Sequence, residues 1–181
     1  MRDLILIFSA FALTWAVALC ALDPPSTALK VTSTAFEQGA AIPLKHTCDG
    51  QDLSPPLAWA GVPPGAKSLA VVCDDPDAPA GTWDHWVLYN LPADTPGLPE
   101  GVAASGTGLP SGTLQGLNGW RTQGYRGPCP PRGGPHRYFF RVYALDTALS
   151  LPAGASKEKV QSAMKGHVLA AGELVGRYAR R

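Results

Sequence analysis

Apolar residues in this chain gather in short runs between proline and glycine breaks, with little helical recurrence before the tail. Lys30–Phe36 (KVTSTAF) alternates apolar and polar positions among β-formers, as a half-buried strand does. Pro55-Pro56 and Pro63-Pro64-Gly65 punctuate the chain ahead of a compact apolar run, Ser68–Cys73, and His85–Leu91 is a second such run. His136–Leu145 (HRYFFRVYAL) carries aromatic and β-branched residues throughout and gives the strongest strand signal. The tail differs. Val160, Ala163, Met164, Val168 and Ala171 follow helical spacing, with Ser156 as N-cap. Gly166 and Gly172 interrupt that pattern, which fits one helix or two short ones, and Leu174–Tyr178 reads as a last strand. The pattern predicts a single β-rich domain with helix near the C-terminus.

Composition agrees. Gly 20 and Pro 18 make up about a fifth of 181 residues, against about 12% in average usage. Both residues are costly inside helices, so a helical bundle is disfavoured. Between Pro96 and Pro135, 18 of 40 residues are Gly or Pro; so long a loop in a compact domain tends to be functional when ordered. The formal net charge is +1, from 15 Lys+Arg and 14 Asp+Glu, which argues against nucleic acid as a partner.

Residues 4–21 (LILIFSAFALTWAVALCA) are uncharged, and small residues at Ala16-Val17-Ala18 and Leu19-Cys20-Ala21 suit cleavage. We read residues 1–21 as a signal peptide, with an uncleaved membrane anchor as the alternative, since 18 apolar residues just span a bilayer. Residues 22–29 then form a linker, and the domain occupies 30–181. Either reading exports the domain to the periplasm or the outside, membrane-anchored if the leader stays. Cys48 and Cys129 sit in turn-rich segments, TCDG and GPCPP, and are expected to pair as a disulfide in an oxidising compartment. Cys73 then stays free as a small buried residue. No C-x-x-C pair suggests zinc.

The candidate chemistry follows the first apolar run. In Asp74-Asp75-Pro76-Asp77-Ala78-Pro79 two prolines stiffen the backbone. If the stretch is extended, Asp75 and Asp77 point to one side; the plainer reading is an aspartate-stabilised turn. His85 and His136 each open a strand, and Tyr138 shares a face with His136. Were these strands neighbours, Asp, imidazoles and phenol would converge on one donor-lined cavity suited to a phosphate or carboxylate. A carboxylate bonded to an imidazole N–H would fix its tautomer. Trp83, Trp86, Tyr125 and the prolines of Gly127–Pro131 are candidate apolar walls. His46 reads as a solvated residue of a polar turn, and His167 as a packed or capping residue.

The segments TCDGQDLSPPLAW, DDPDAPAGTWDHWVLYNLPA, GYRGPCPPRGGPHRYFFRVYALD and GHVLAAGELVGRY resemble the phosphatidylethanolamine-binding protein family, most closely its bacterial and archaeal Raf kinase inhibitor-like branch. The resemblance covers about residues 30–179. It implies a mainly β fold: an antiparallel β-sandwich with Greek-key connections and a short C-terminal helix. It also implies a pocket for anions such as phosphate, phosphoethanolamine or acetate. Matched by motif, the ligand-binding residues would be Asp75, Asp77, Pro79, His85, Pro131, His136 and Tyr138, with Pro79 and Pro131 near the rim. Arg137, between two pocket-facing positions, would point away toward an ion pair.

The expected function is non-catalytic binding of a small phosphate-bearing anion or phospholipid head group, with no cofactor and no metal. No G-x-S-x-G, P-loop, H-E-x-x-H or G-x-G-x-x-G motif occurs. Two alternatives stay open: an interaction protein inhibiting a protease or kinase, and a metal- or His/Asp-dependent hydrolase. A protein partner and a homodimer are likewise open.

Overall fold

Ser68–Asp75 (β4) is buried along all eight residues, and it lies at the heart of the molecule. The structure, a computed structural model, describes residues 27–180. β4 runs between Trp83–Pro92 (β5) and His136–Leu145 (β8). Thr27–Ala28 (β1), Val168–Tyr178 (β9) and Leu114–Gln115 (β7) complete a six-stranded sheet in the order β1-β9-β8-β4-β5-β7. Lys30–Thr32 (β2), Leu57–Ala60 (β3) and Gly97–Leu98 (β6) form a second sheet in the order β2-β3-β6. Among the named strands every pairing is antiparallel except β1 with β9.

Two apolar layers sandwich the large sheet. Between the sheets, Val31, Leu57 and Trp59 pack with Val71, Trp86 and Phe140. On the other face Ala70, Val87 and Tyr89 meet Val160 and Met164 of Lys157–Met164 (α1), the one α-helix among the described residues. Burial of this kind contributes about 25 cal/mol per Å² of apolar area. A mainly β domain results.

Three local outcomes differ from the sequence expectation. The first strand stops at Thr32 rather than Phe36, because Ser33 Oγ donates to Pro56 O (2.6 Å) and accepts from Ala35 N–H (3.0 Å), turning the chain. Residues 27 and 28, assigned to the linker, already pair with β9; the leader at 1–21 lies outside the described residues. Ser156 does cap α1, accepting from Lys159 N–H, but the helix ends at Met164, and Val168 and Ala171 belong to β9. Gly166, at φ +79°, provides the break, and β9 then pairs with β8 from His136↔Tyr178 to Leu145↔Val168. Gly172 is glycine because a Cβ there would lie 2.0 Å from Leu29 O.

On the α1 face a charge cluster spans the sheet. Lys157 of α1 pairs with Asp84 of β5 and lies 3.4 Å from Asp74 of β4, while Arg141 of β8 meets Asp74 at 2.6 Å and Glu173 at 3.2 Å. Burial pushes the Lys157 ammonium down, yet Asp84 and Asp74 outweigh it and hold the net shift upward.

Candidate functional site

Asp75 and His85 follow Asp74 and Asp84 in sequence, and the strand register decides where they point. Cys73 pairs with Trp86 but Asp74 pairs with Asp84, so β5 carries one extra residue at His85. Such a bulge re-aims a side chain next to a site. Here His85 lies edge-on to the Tyr138 ring, 5.2 Å between centroids, on the inter-sheet side of the sheet. Strict alternation would have sent it toward α1 with Val87.

The cluster grades from buried to accessible. Tyr138 is fully buried, His85 2% and Asp75 3% exposed; the His136 side chain, 13% exposed, is the accessible member. His136 Nδ1–H donates to Asp75 Oδ2 at 2.8 Å, and His85 Nδ1–H donates to the carbonyl of Arg126 at 2.6 Å. A carbonyl can only accept, so the proton of neutral His85 sits on Nδ1 and leaves Nε2 as an acceptor. Burial holds the His85 imidazole below its ordinary range, against the pull of the Arg126 carbonyl and Asp75. The Tyr138 hydroxyl is buried without a hydrogen-bond partner among the described residues, and burial, with Asp75 beside it, pushes its acidity well down. A buried hydroxyl left unpaired costs about 1–3 kcal/mol.

Asp75, His85, His136 and Tyr138 are thus brought together. Asp77 is placed differently: Asp75 Oδ1 accepts from Asp77 N–H at 2.8 Å, closing a turn rather than an extended stretch. The Asp77 carboxylate turns to Arg137, taking its Nη2 at 2.7 Å, its Nε at 2.9 Å and its backbone N–H at 2.9 Å. Those bonds hold the Asp77 carboxyl down to about 2. Arg137 is the outward-pointing member of an ion pair, as its position implied. Pro79 and Pro131 are exposed on the loops after Asp75 and before His136.

Other placements correct the sequence reading. Trp86 is no wall but core, its Nε1–H donating to Gln115 Oε1. Tyr125 is likewise buried, its hydroxyl donating to His46 O. His46 is fully buried rather than solvated: its Nδ1–H donates to Leu53 O at 2.9 Å. His167 is exposed and lies 2.8 Å from Asp146. Cys48 and Cys129 do form a disulfide, Cα atoms 5.4 Å apart, and Cys73 is free and buried.

Trp120 and Arg126 went unnoticed in the sequence. Trp120 stands edge-on to both His85 (5.3 Å) and Trp83 (5.4 Å). Asn118 holds that loop, its Oδ1 accepting from Trp120 N–H, Thr122 N–H and the Thr122 hydroxyl, and Gly119 lets the Trp83 ring approach where a Cβ would be 2.5 Å away. The Asn-Gly pair was the readable signal of a turn.

A sequence profile of phosphatidylethanolamine-binding proteins matches residues 32–179. The chain belongs to that family. A UPF0098 protein of Methanothermobacter thermautotrophicus is 56% identical over 152 residues, covering 84% of this chain and 99% of the relative. A phosphatidylethanolamine-binding protein homolog of Chlamydia trachomatis superposes with a TM-score of 0.77 at 42% identity, covering 86% of this chain and all of that one. E. coli YbcL, described as a new member of the mammalian family, superposes with a TM-score of 0.80 at 36% identity over 84% of this chain and 99% of its own. These archaeal and bacterial relatives place the chain in the family's prokaryotic branch.

Tyr138→Phe separates ligand chemistry from packing in this family member. We expect the variant to be as stable as wild type or up to about 1 kcal/mol more stable, because an unpaired hydroxyl is removed. Should the cluster hold phosphate, its affinity would fall about tenfold, by the same principle. Thermal unfolding with parallel titration calorimetry checks both; a destabilised variant would show that the hydroxyl is satisfied in the folded protein.

Proposed function

We propose that this protein binds, without transforming it, a small phosphate-bearing anion of the kind carried by a phospholipid head group, and that it works outside the cytoplasm. One observation carries the reading: a buried hydroxyl without a partner among the described residues stands against His85 and beside Asp75, and the Nδ1 protons of His85 and of the Asp75-bound His136 are already committed. Any ligand entering past His136 meets the Tyr138 O–H as a donor and two Nε2 atoms that donate once protonated. Buried donors of this kind reward an anion strongly, because they otherwise stay unsatisfied. The disulfide supports the compartment, since such bonds persist where thiols are oxidised. Among the described residues no helix is long and apolar enough to cross a membrane.

Titration calorimetry with phosphate, phosphoethanolamine and acetate tests the reading directly. His136→Ala is expected to weaken all three at least tenfold, from the loss of a charge-assisted hydrogen bond. Acetate, whose charge is constant from about pH 6 to 8, should bind more tightly as pH falls. The His85 imidazole is held neutral by burial in the free protein, and an anion beside it favours the protonated form. Binding therefore takes up a proton, and affinity must rise toward low pH. No heat with any of the three anions, or affinity that rises with pH, would overturn the assignment.

A further inference from the structure

Beyond the buried site, the same end of the large sheet carries an open groove of about 760 Å³ lined by Arg132, Arg177 and Arg180, with Asp49, Tyr178 and Leu44 among its walls. Its charge is unbalanced. Asp49 is shared: it accepts from the Tyr178 hydroxyl at 2.7 Å and from Arg180 at 2.9–3.1 Å, and these bonds, aided by the nearby Arg132 charge, keep it ionised. Arg132 and Arg177 are exposed and have no acidic partner among the described residues. Arg177 pairs directly across from Arg137, whose own charge is spent on Asp77, so Arg177 stands on the sheet face away from Tyr178 and borders the groove. Like charges directly opposite in a sheet are destabilising. Arg132 and Arg180 against Asp49 leave a net +1 inside the groove, and Arg177 adds a further positive charge at its border.

We propose that this groove is a second binding site, separate from the His/Asp/Tyr cluster, for an organic phosphate monoester. The charge calls for a doubly charged group; a phosphate monoester carries it close to neutral pH, and a single carboxylate does not. The planar fork of arginine matches phosphate oxygens in pairs. The volume falls in the range of small-molecule sites and exceeds what bare phosphate needs. Leu44, 57% exposed and the most exposed large apolar side chain among the described residues, offers contact to an apolar portion. A soluble sugar or glycerol phosphate and a lipid with a terminal phosphate share this chemistry.

The experiment uses glycerol 3-phosphate in calorimetry and vesicles containing phosphatidic acid in co-sedimentation, with phosphatidylglycerol vesicles and acetate as charge controls. The variants are Arg132→Gln/Arg177→Gln, Asp49→Asn and His136→Ala. Binding of glycerol 3-phosphate identifies a soluble source, and binding of phosphatidic acid vesicles alone identifies a lipid one. In either case the double arginine variant should bind at least tenfold more weakly. Asp49→Asn should bind severalfold more tightly, the opposite of what damage to the groove would cause. Binding should weaken with added salt, and in His136→Ala, where the proposed anion pocket is lost, monoester binding at the groove should persist, which distinguishes the two sites. Three results would overturn the assignment: no binding of either monoester, no monoester binding left in His136→Ala, or equal binding of phosphatidylglycerol vesicles and, in His136→Ala, of acetate.

Discussion

Lys157→Ala is expected to lower folding stability by about 3–5 kcal/mol, the usual consequence of stripping one partner from a buried charge pair. The Lys157 side chain is 10% exposed, and those of Asp74 and Asp84 are 6% and 15% exposed. Removing the ammonium leaves Asp84 without its cation and Asp74 with Arg141 alone. Lys157 is the first residue of α1, where the helix dipole disfavours a positive charge, so the two aspartates must more than offset that position. The loss should reach the proposed anion site too. Asp74 and Asp84 form the register pair beside the bulge that aims His85, and the two site residues follow them directly in sequence. Urea unfolding at neutral pH, with phosphate titration on the folded variant, reads both effects. A change under about 1 kcal/mol would mean that water already satisfies those carboxylates.

Reducing the Cys48–Cys129 disulfide, or replacing both cysteines by serine, is expected to have an effect of similar size. The bond closes a loop with a sequence separation of 81, and loop-closure entropy then gives about 4 kcal/mol. Cys129 belongs to the segment that also carries Arg126, Gly127 and Pro131, so the bond anchors the carbonyl that orients His85. Unfolding midpoints should drop with reductant, and anion affinity should drop with them. Identical midpoints with and without reductant would show that the bond carries no stability.

Strands with strong local character were legible in the sequence. β8 has the bounds that its aromatic and β-branched residues predicted, and β4 extends its apolar run by two aspartates. β9 was half hidden, because Ala170, Ala171 and Gly172 are weak β-formers placed there by packing. Its glycines answer to Leu29 and Ile42 crossing close by, a tertiary demand that no local window contains. Asp75, His85, His136 and Tyr138 stood out by residue type and motif. The bulge that turns His85 did not, because register is a property of two strands. His46 misled for a similar reason: its neighbours are polar, and Tyr125 and Leu53 bury it from a distance.

The central position of β4 has a kinetic corollary. One of its edges pairs with β5 nearby, but the other awaits β8, with Ser68 opposite Leu145 and Asp74 opposite Phe139. A nascent chain cannot close that edge until most of the polypeptide exists, and such distant pairings make folding slow. The protein should therefore emerge from synthesis still pliable, with its final collapse deferred until the whole chain is available.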